Sequence, residues 1–286
     1  MMIHRPAIKM KRWKTLGRRF LIAVAIIYAV ICVGVCIWQR SLLYFPYKIP
    51  ADAVMAEAKK NGFIPWKNPA GETIGWEITA DTNSTGSVLV LQGNSGCAFW
   101  NHDFVRPIHS GADVNVFILE YPGYGARPGS PSRKIFDAAA EEAFQLLPKN
   151  LPRYVVSMSL GTGVAGDIIE NHPAEIAGVA MFAPYHNLAW VVQHRFWFLP
   201  VYLFLLDRFN PEECLKNYHG PIKFVVAGDD EIIGAASGLR LENTYQGPKD
   251  LELFPYAQHA DVAFRTSDWW HKVFSFWQKN AVVSPK

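Results

Sequence analysis

The stretch Arg153-YVVSMSLGTG-Val164 decides how this chain is read, because it places Ser159 where a buried strand turns abruptly into a helix. Tyr154, Val155 and Val156 are the aromatic and β-branched residues that a pleated, buried strand favours. Small residues follow, then LGTGVAGDIIEN, a helical stretch whose glycines suit close packing. A serine flanked by small residues at such a corner lifts its hydroxyl above the sheet edge, the geometry of a nucleophile elbow. The usual elbow is G-x-S-x-G, because the residue two before the serine has almost no room for a Cβ. Here Ser157 stands at that place, a crowding that its small side chain tolerates. Taken alone, the corner reads equally well as an ordinary strand-to-helix turn with incidental serines.

The flanking sequence supplies the context. Ser87-VLVLQGNSGCAFWN-His102 reads as a buried strand ending in a glycine loop, and Asn115-VFILEYPGYGARPGSPS-Arg133 as a second one. FDAAAEEAFQLL, before the elbow, carries apolar residues at helical spacing with acids opposite. Ile176-AGVAMFAP-Tyr185, Pro221-IKFVVAGDD-Glu231 and LELF read as further short strands. Strands alternating with helices in this way predict an α/β class and a mostly parallel sheet covered on both faces.

In this arrangement the chain resembles the α/β-hydrolase superfamily, and within it the single-pass, membrane-anchored ABHD-type serine hydrolases and their bacterial relatives. The resemblance rests on Leu42-LYFPYKIP-Ala51 after an apolar segment, Gln92-GNSG-Cys97 after a strand and Tyr121-PGYGARPGSPS-Arg133. It extends to the elbow, an acid loop GDDEII and a late His loop, and covers roughly residues 40 to 280. It implies the α/β-hydrolase fold, with a small helical cap and one preceding transmembrane helix. Two positions depart from the family pattern: Gln92 replaces the histidine of the HGN-type loop, and Ser157 replaces the first elbow glycine. Neither is the expected nucleophile, acid or base, so rate and substrate preference are affected rather than reaction type.

The chemistry follows residue by residue. A serine hydroxyl is a weak nucleophile until a base takes its proton during attack. Histidine suits that role because its ordinary pKa lies near neutrality, and His259 in Phe254-PYAQHADV-Ala263 is assigned to it. A carboxylate orients the imidazole and stabilises the imidazolium. Asp230 is assigned to that role by its match to the family's acid, with neighbouring Asp229 as the alternative. The oxyanion is expected to meet the backbone amide of Leu160 and one from Gly93-Asn94-Ser95, with Asn94 favoured. No other histidine follows a strand beyond the acid loop, and His271 reads as a solvated helix residue. No His/Cys cluster has metal spacing, no Walker loop occurs, and GYGARPG lacks the G-x-G-x-x-G spacing, so no cofactor is expected.

Residues 20–38, FLIAVAIIYAVICVGVCIW, carry no charge and as a helix reach roughly 28 Å, about one hydrocarbon core. Arg5, Lys9, Lys11, Arg12, Lys14, Arg18 and Arg19 precede them without a single acid, and only Arg40 and Lys48 follow before Asp52. The positive-inside rule then predicts a cytoplasmic tail (1–19), a signal anchor (20–38), a juxtamembrane linker (39–70) and an extracytoplasmic hydrolase domain (71–286). A cleaved signal peptide fits less well, since no small-x-small site follows the apolar run. Trp38, Tyr44, Phe45 and Tyr47 suit an interfacial aromatic belt. Taking the seven tail cations from the net +3 leaves −4 over residues 20–286, which argues against a nucleic-acid partner. The tail itself suits anionic headgroups of membrane lipid.

The insertion at 185–212 is too apolar for an open loop, and Pro200 divides it into two short helical pieces. In the family this position holds the cap. Packing on the sheet edge is its plainest role, and Phe196 and Trp197 are the residues expected to touch an acyl group or the bilayer surface. Trp269, Trp270, Phe274 and Trp277 are expected to pack a final helix on the domain. Cys97 and Cys214, outside the span, are expected to stay free, and Asn83-Ser84-Thr85 is a glycosylation acceptor in a eukaryotic secretory route. The expected activity is hydrolysis of an ester or thioester through an acyl-enzyme at Ser159, by a monomer. The substrate is an acyl-bearing small molecule, lipid or acylated protein, as for a carboxylesterase, lysophospholipase or acyl-protein thioesterase. A peptidase of the same fold and an inactive, membrane-bound interaction protein are the alternatives.

Overall fold

The computed structural model describes residues 7–80 and 84–281, with side chains from residue 13 onward; Arg5 and Asn83 lie outside the described residues. The chain divides into two units, Met1–Leu43 and Tyr44–Lys286. The described residues of the first unit form one helix, α1 (Ala7–Leu43). Its part from Trp13 to Leu43 has a mean hydropathy of 3.0 in its most apolar window, long and apolar enough to cross a membrane. Phe20, Leu21 and Ile27 are each at least 60% exposed along it, as side chains facing lipid would be.

The second unit begins earlier than the sequence suggested. Residues 44–70, expected as a linker, instead form β1 (Phe45–Pro46), α2 (Ala51–Lys60) and β2 (Ile64–Lys67). The physical reason is apolar anchoring: Phe63 and Trp66 are buried, and the Trp66 ring packs 4.9 Å from Phe117. Tyr44, expected in an aromatic belt, is buried too, its hydroxyl donating to Asp207 Oδ2 at 3.1 Å.

The remaining elements run β3 (Thr73–Ile78), β4 (Ser87–Leu91), β5 (Ser95–Gly96), α3 (His102–Ala112), β6 (Asn115–Leu119) and α4 (Arg133–Leu146). Then come β7 (Arg153–Met158), α5 (Leu160–Asn171), β8 (Ile176–Phe182), α6 (Leu188–Arg195), α7 (Val201–Phe204) and α8 (Pro211–Cys214). The chain closes with β9 (Ile222–Ala227), α9 (Ala235–Thr244), β10 (Lys249–Phe254) and α10 (Ser267–Lys279). Eight strands make one sheet in the order β10-β9-β8-β7-β4-β6-β3-β2. From β10 to β6 all neighbours are parallel, while β6, β3 and β2 pair antiparallel. β4 and β9 are buried at every position, as strands covered on both faces must be.

Strand order fixes where a site can form. β4 lies between β6 and β7, so the chain winds to one side of β4 and then crosses to the other. At such a switch point the connections leave in opposite directions and open a crevice beyond the carboxyl ends of the strands. On one face α3 packs on α10, where Trp270 and Trp277 are fully buried and Trp277 stacks 4.9 Å from Tyr154. Trp269 is half-buried, its indole N–H donating to Glu252 Oε2 at 2.6 Å. On the other face α5 packs against α4 and α8.

Candidate active site

Ser159 sits between the last residue of β7 and the first of α5, at φ 52° and ψ −119°. A positive φ is costly for a residue with a Cβ, and the surrounding fold must hold it. Two contacts do so. Ser159 N–H donates to Phe182 O at 2.9 Å, and Gly161 brings α5 hard against β4. A Cβ on Gly161 would lie 2.1 Å from Leu91 O, so only glycine permits this approach. Ser157 is fully buried with its hydroxyl 3.5 Å from Ala180 O, showing how serine fits the other elbow position.

Beyond β9, Asp230 closes the acid loop; beyond β10, His259 lies in the next one. Backbone bonds bring the two loops together: Gly228 N–H donates to Phe254 O at 2.8 Å and Asp229 N–H to Ala257 O at 3.0 Å. His259 Nδ1 is 2.8 Å from Asp230 Oδ2, and its Nε2 is 2.9 Å from Ser159 Oγ. Asp229, the alternative acid, is exposed, and the carboxylate that reaches the ring belongs to Asp230. Asp230 Oδ1 also accepts from the amides of Ile232 at 2.9 Å and Ile233 at 2.8 Å. Burial would raise its pKa, but the His259 bond and these two amides outweigh burial and hold the carboxyl below its ordinary value. A carboxylate accepts only, so Nδ1 carries the proton and the lone pair of Nε2 faces the serine hydroxyl. Such a relay can draw the proton from Ser159 as the oxygen attacks.

Loop 92–96, after β4, stands beside Ser159. A Cβ on Gly93 would lie only 3.7 Å from that of Ser159. Asn94 lines the same cleft as Ser159, and Leu160 opens α5, so its amide belongs to the first turn, whose donors lack intrahelical partners. Gln92, in place of the family histidine, is buried within a polar chain. Its Nε2 donates to Glu120 Oε1 at 3.2 Å, and its Oε1 accepts from Asn101 Nδ2 at 3.2 Å. Glu120 Oε1 and Oε2 also accept from Ala98 N–H at 3.0 and 3.1 Å. Burial pushes the Glu120 carboxyl up to about 7 against the pull of these donors and of Arg127. Sequence reading missed Glu120, although an acid ending the apolar run VFILE was a visible signal.

The cleft holds about 500 Å³. Phe45, Met158 and Ile232 give it apolar wall, and Glu231, Gln258 and Asp261 give it a polar rim. Phe45 had been read as an interfacial aromatic. Phe196 and Trp197, expected to contact the acyl group, do not line this cleft: they are 45% and 81% exposed on the segment after α6. The cap turns at Phe196–Pro200, tied back by Gln193 Nε2 to Leu199 O at 2.8 Å, and these side chains are left facing outward. Pro200 does separate α6 from α7. His186 is buried against Ser237 Oγ at 2.8 Å, and His271 is exposed; neither approaches the relay.

All four cysteines are free thiols. Among the described residues one cluster has metal-like spacing, Asp167, Glu170 and Cys214, with ligand atoms within 4.8 Å. Arg133 Nη2 already donates to Asp167 Oδ1 at 2.7 Å, and burial raises the Cys214 thiol pKa, so Cys214 offers a protonated thiol rather than a ready thiolate.

No protein-family model matches the chain. Among curated proteins it is 28% identical over 251 residues to an uncharacterized protein of Mycobacterium tuberculosis, covering 83% of this chain and 88% of that one. It is 24% identical over 195 residues to the human alpha/beta hydrolase domain-containing protein 17B, spanning 65% of this chain and 64% of the relative. Among solved structures, an esterase of Pyrococcus furiosus superposes with a TM-score of 0.59 at 16% identity, over 84% of this chain and 98% of that one. The chain therefore has the α/β-hydrolase fold, with ABHD-type proteins among its distant relatives.

Proposed function

We propose that this chain is a membrane-anchored serine hydrolase that cleaves an ester or thioester of an amphipathic acyl substrate. The observation that carries the reading is the continuous relay from Asp230 through His259 to Ser159, at the switch point of the sheet. The likeness to an esterase and to a hydrolase-domain protein supports the same class.

In the proposed reaction Ser159 Oγ attacks the acyl carbon while His259 Nε2 takes its proton. The new oxyanion is met by the amides of Leu160 and Asn94, and Asp230 stabilises the imidazolium. His259 then returns the proton to the leaving alcohol or thiol, and an acyl-enzyme remains on Ser159. Water, deprotonated by His259, releases the acid. Phe45, Met158 and Ile232 are the side chains available to an acyl chain in this cleft, in place of Phe196 and Trp197. Against the inactive, membrane-bound alternative, Gln92 and Ser157, the two departures from the family pattern, are both accommodated without displacing the relay. Membrane lipid is the proposed partner of the anchor and its basic tail, with the hydrolase unit extracytoplasmic.

A fluorophosphonate probe tests the reaction. The detergent-solubilised full chain is expected to label, Ser159→Ala to lose labelling and His259→Ala to retain only a trace. A folded parent that resists labelling would overturn the enzyme reading. For orientation, a reporter fused after Lys286 is expected to give an extracytoplasmic signal; a cytoplasmic one reverses the topology.

A further inference from the structure

The two tyrosines of the Tyr121-PGY-Gly125 turn are both fully buried, and each spends its hydroxyl on the loop beside Ser159. Tyr121 donates to Gln92 O at 3.1 Å, and Tyr124 donates to Asn94 O at 2.8 Å. The two carbonyls flank the Gly93–Asn94 peptide, whose N–H is the loop's proposed oxyanion donor. Gly93 has no side chain to restrict rotation about its own backbone bonds. Without outside anchors that peptide would sample orientations that turn its N–H from the cleft. Burial raises both hydroxyl pKa values, so both remain donors at neutral pH.

The rings are themselves fixed. Tyr121 stacks on Phe136 at 4.3 Å, and Tyr124 meets Tyr121 edge-on at 5.8 Å. The turn between them closes through Tyr124 N–H to Tyr121 O at 2.9 Å. It is packed hard on Glu120 at Gly125, where a Cβ would lie 2.5 Å from Glu120 Oε2. The rigid turn after β6 thus reaches across to the loop after β4.

We infer that Tyr121 and Tyr124 act together as positioning residues, clamping the carbonyls on either side of the Gly93–Asn94 peptide so that the Asn94 amide is aimed at the developing oxyanion before substrate arrives. The inference rests on the serine-hydrolase reading of the same site. Preorganisation of this kind acts on the transition state far more than on ground-state binding.

The test uses the full chain in detergent, 4-nitrophenyl butyrate as substrate, and active-site titration with a fluorophosphonate to normalise every rate to competent sites. Tyr124→Phe removes one hydroxyl and keeps the ring; a fall in kcat of about tenfold with KM within about twofold is expected. Tyr121→Phe is expected to lose less, because its bond is longer. The double variant is expected to fall by less than the product of the two, since one anchored peptide is shared. Affinity for a trifluoromethyl ketone, which presents an oxyanion, is expected to weaken in proportion to kcat/KM. A merely structural role would lower the melting temperature or the fraction of titratable sites and leave kcat per site unchanged. An active parent whose Tyr124→Phe variant keeps kcat per site within twofold overturns the clamp alone. A parent that neither labels nor turns over substrate removes the hydrolase reading and the clamp with it.

Discussion

The elbow at Ser159 and the cap at 185–212 are both short, both near the cleft and both rich in sequence signal, yet they are determined differently. At the elbow every degree of freedom is taken up: a positive φ, Gly161 against Leu91, and a relay of bonds of 2.8 and 2.9 Å. In the cap, Ala189, Val201 and Leu205 form a small buried cluster of their own, while Phe196 and Trp197 face outward. Apolar character alone did not say which way these side chains would turn. Backbone constraint is local and readable; the direction of an apolar side chain depends on what covers it.

Three perturbations, from large effect to small, strain this contrast. Asp230→Asn keeps the shape of the relay but lets the imidazole take the wrong tautomer, and kcat is expected to fall by about 10³–10⁴. Steady-state kinetics on 4-nitrophenyl butyrate would read this, and a loss below tenfold would show that the elbow does not depend on its buried acid.

The second concerns pH and stability. Glu120 titrates at about 7 folded against an ordinary 4.5, so between these values the folded chain holds more protons than the unfolded one. The contribution of Glu120 is therefore most favourable below 4.5 and declines by about 3 kcal/mol as pH rises to 7. Asp230 works in the opposite sense: its depressed pKa contributes stability above its unfolded value, lost as pH falls through the folded one. Denaturant melts of the parent and Glu120→Gln between pH 4.5 and 8 separate the two. The variant is expected to lose the decline towards neutrality, and identical slopes would show that Glu120 is not a strained acid.

The smallest effect belongs to the cap. Trp197→Ala is expected to change stability by less than about 0.5 kcal/mol and hydrolysis of a soluble ester by less than about twofold. A larger kinetic loss would place the ring over the cleft and erase the distinction drawn here.

Much of the candidate site's geometry was legible in the sequence. Ser159, Asp230 and His259 each follow an apolar strand, and parallel winding puts such positions at one edge of the sheet. The choice between Asp229 and Asp230 was not settled by residue chemistry, because adjacent carboxylates differ only in which way the backbone points them. That Phe45 lines the cleft was not legible, because an aromatic after an apolar helix suits a lipid interface as well as a cleft wall. Tyr121 and Tyr124 looked like parts of a glycine turn, with nothing local to show that their hydroxyls end on a loop 29 and 30 residues earlier.

By itself the sequence determined the class of fold, the alternation of strands and helices around the elbow, the corner at Ser159 and an apolar helix long enough for a bilayer. These follow from periodicity, side-chain size and length, which act over a few residues at a time. Only the tertiary structure decided that the folded unit starts at Tyr44, that Asp230 is the acid facing His259, that Phe45 rather than Trp197 walls the cleft, and that Gln92 is satisfied by Glu120 and Asn101. Each of those depends on partners far away in the chain, and which partner a buried polar or aromatic group finds is fixed only when the whole core closes around it.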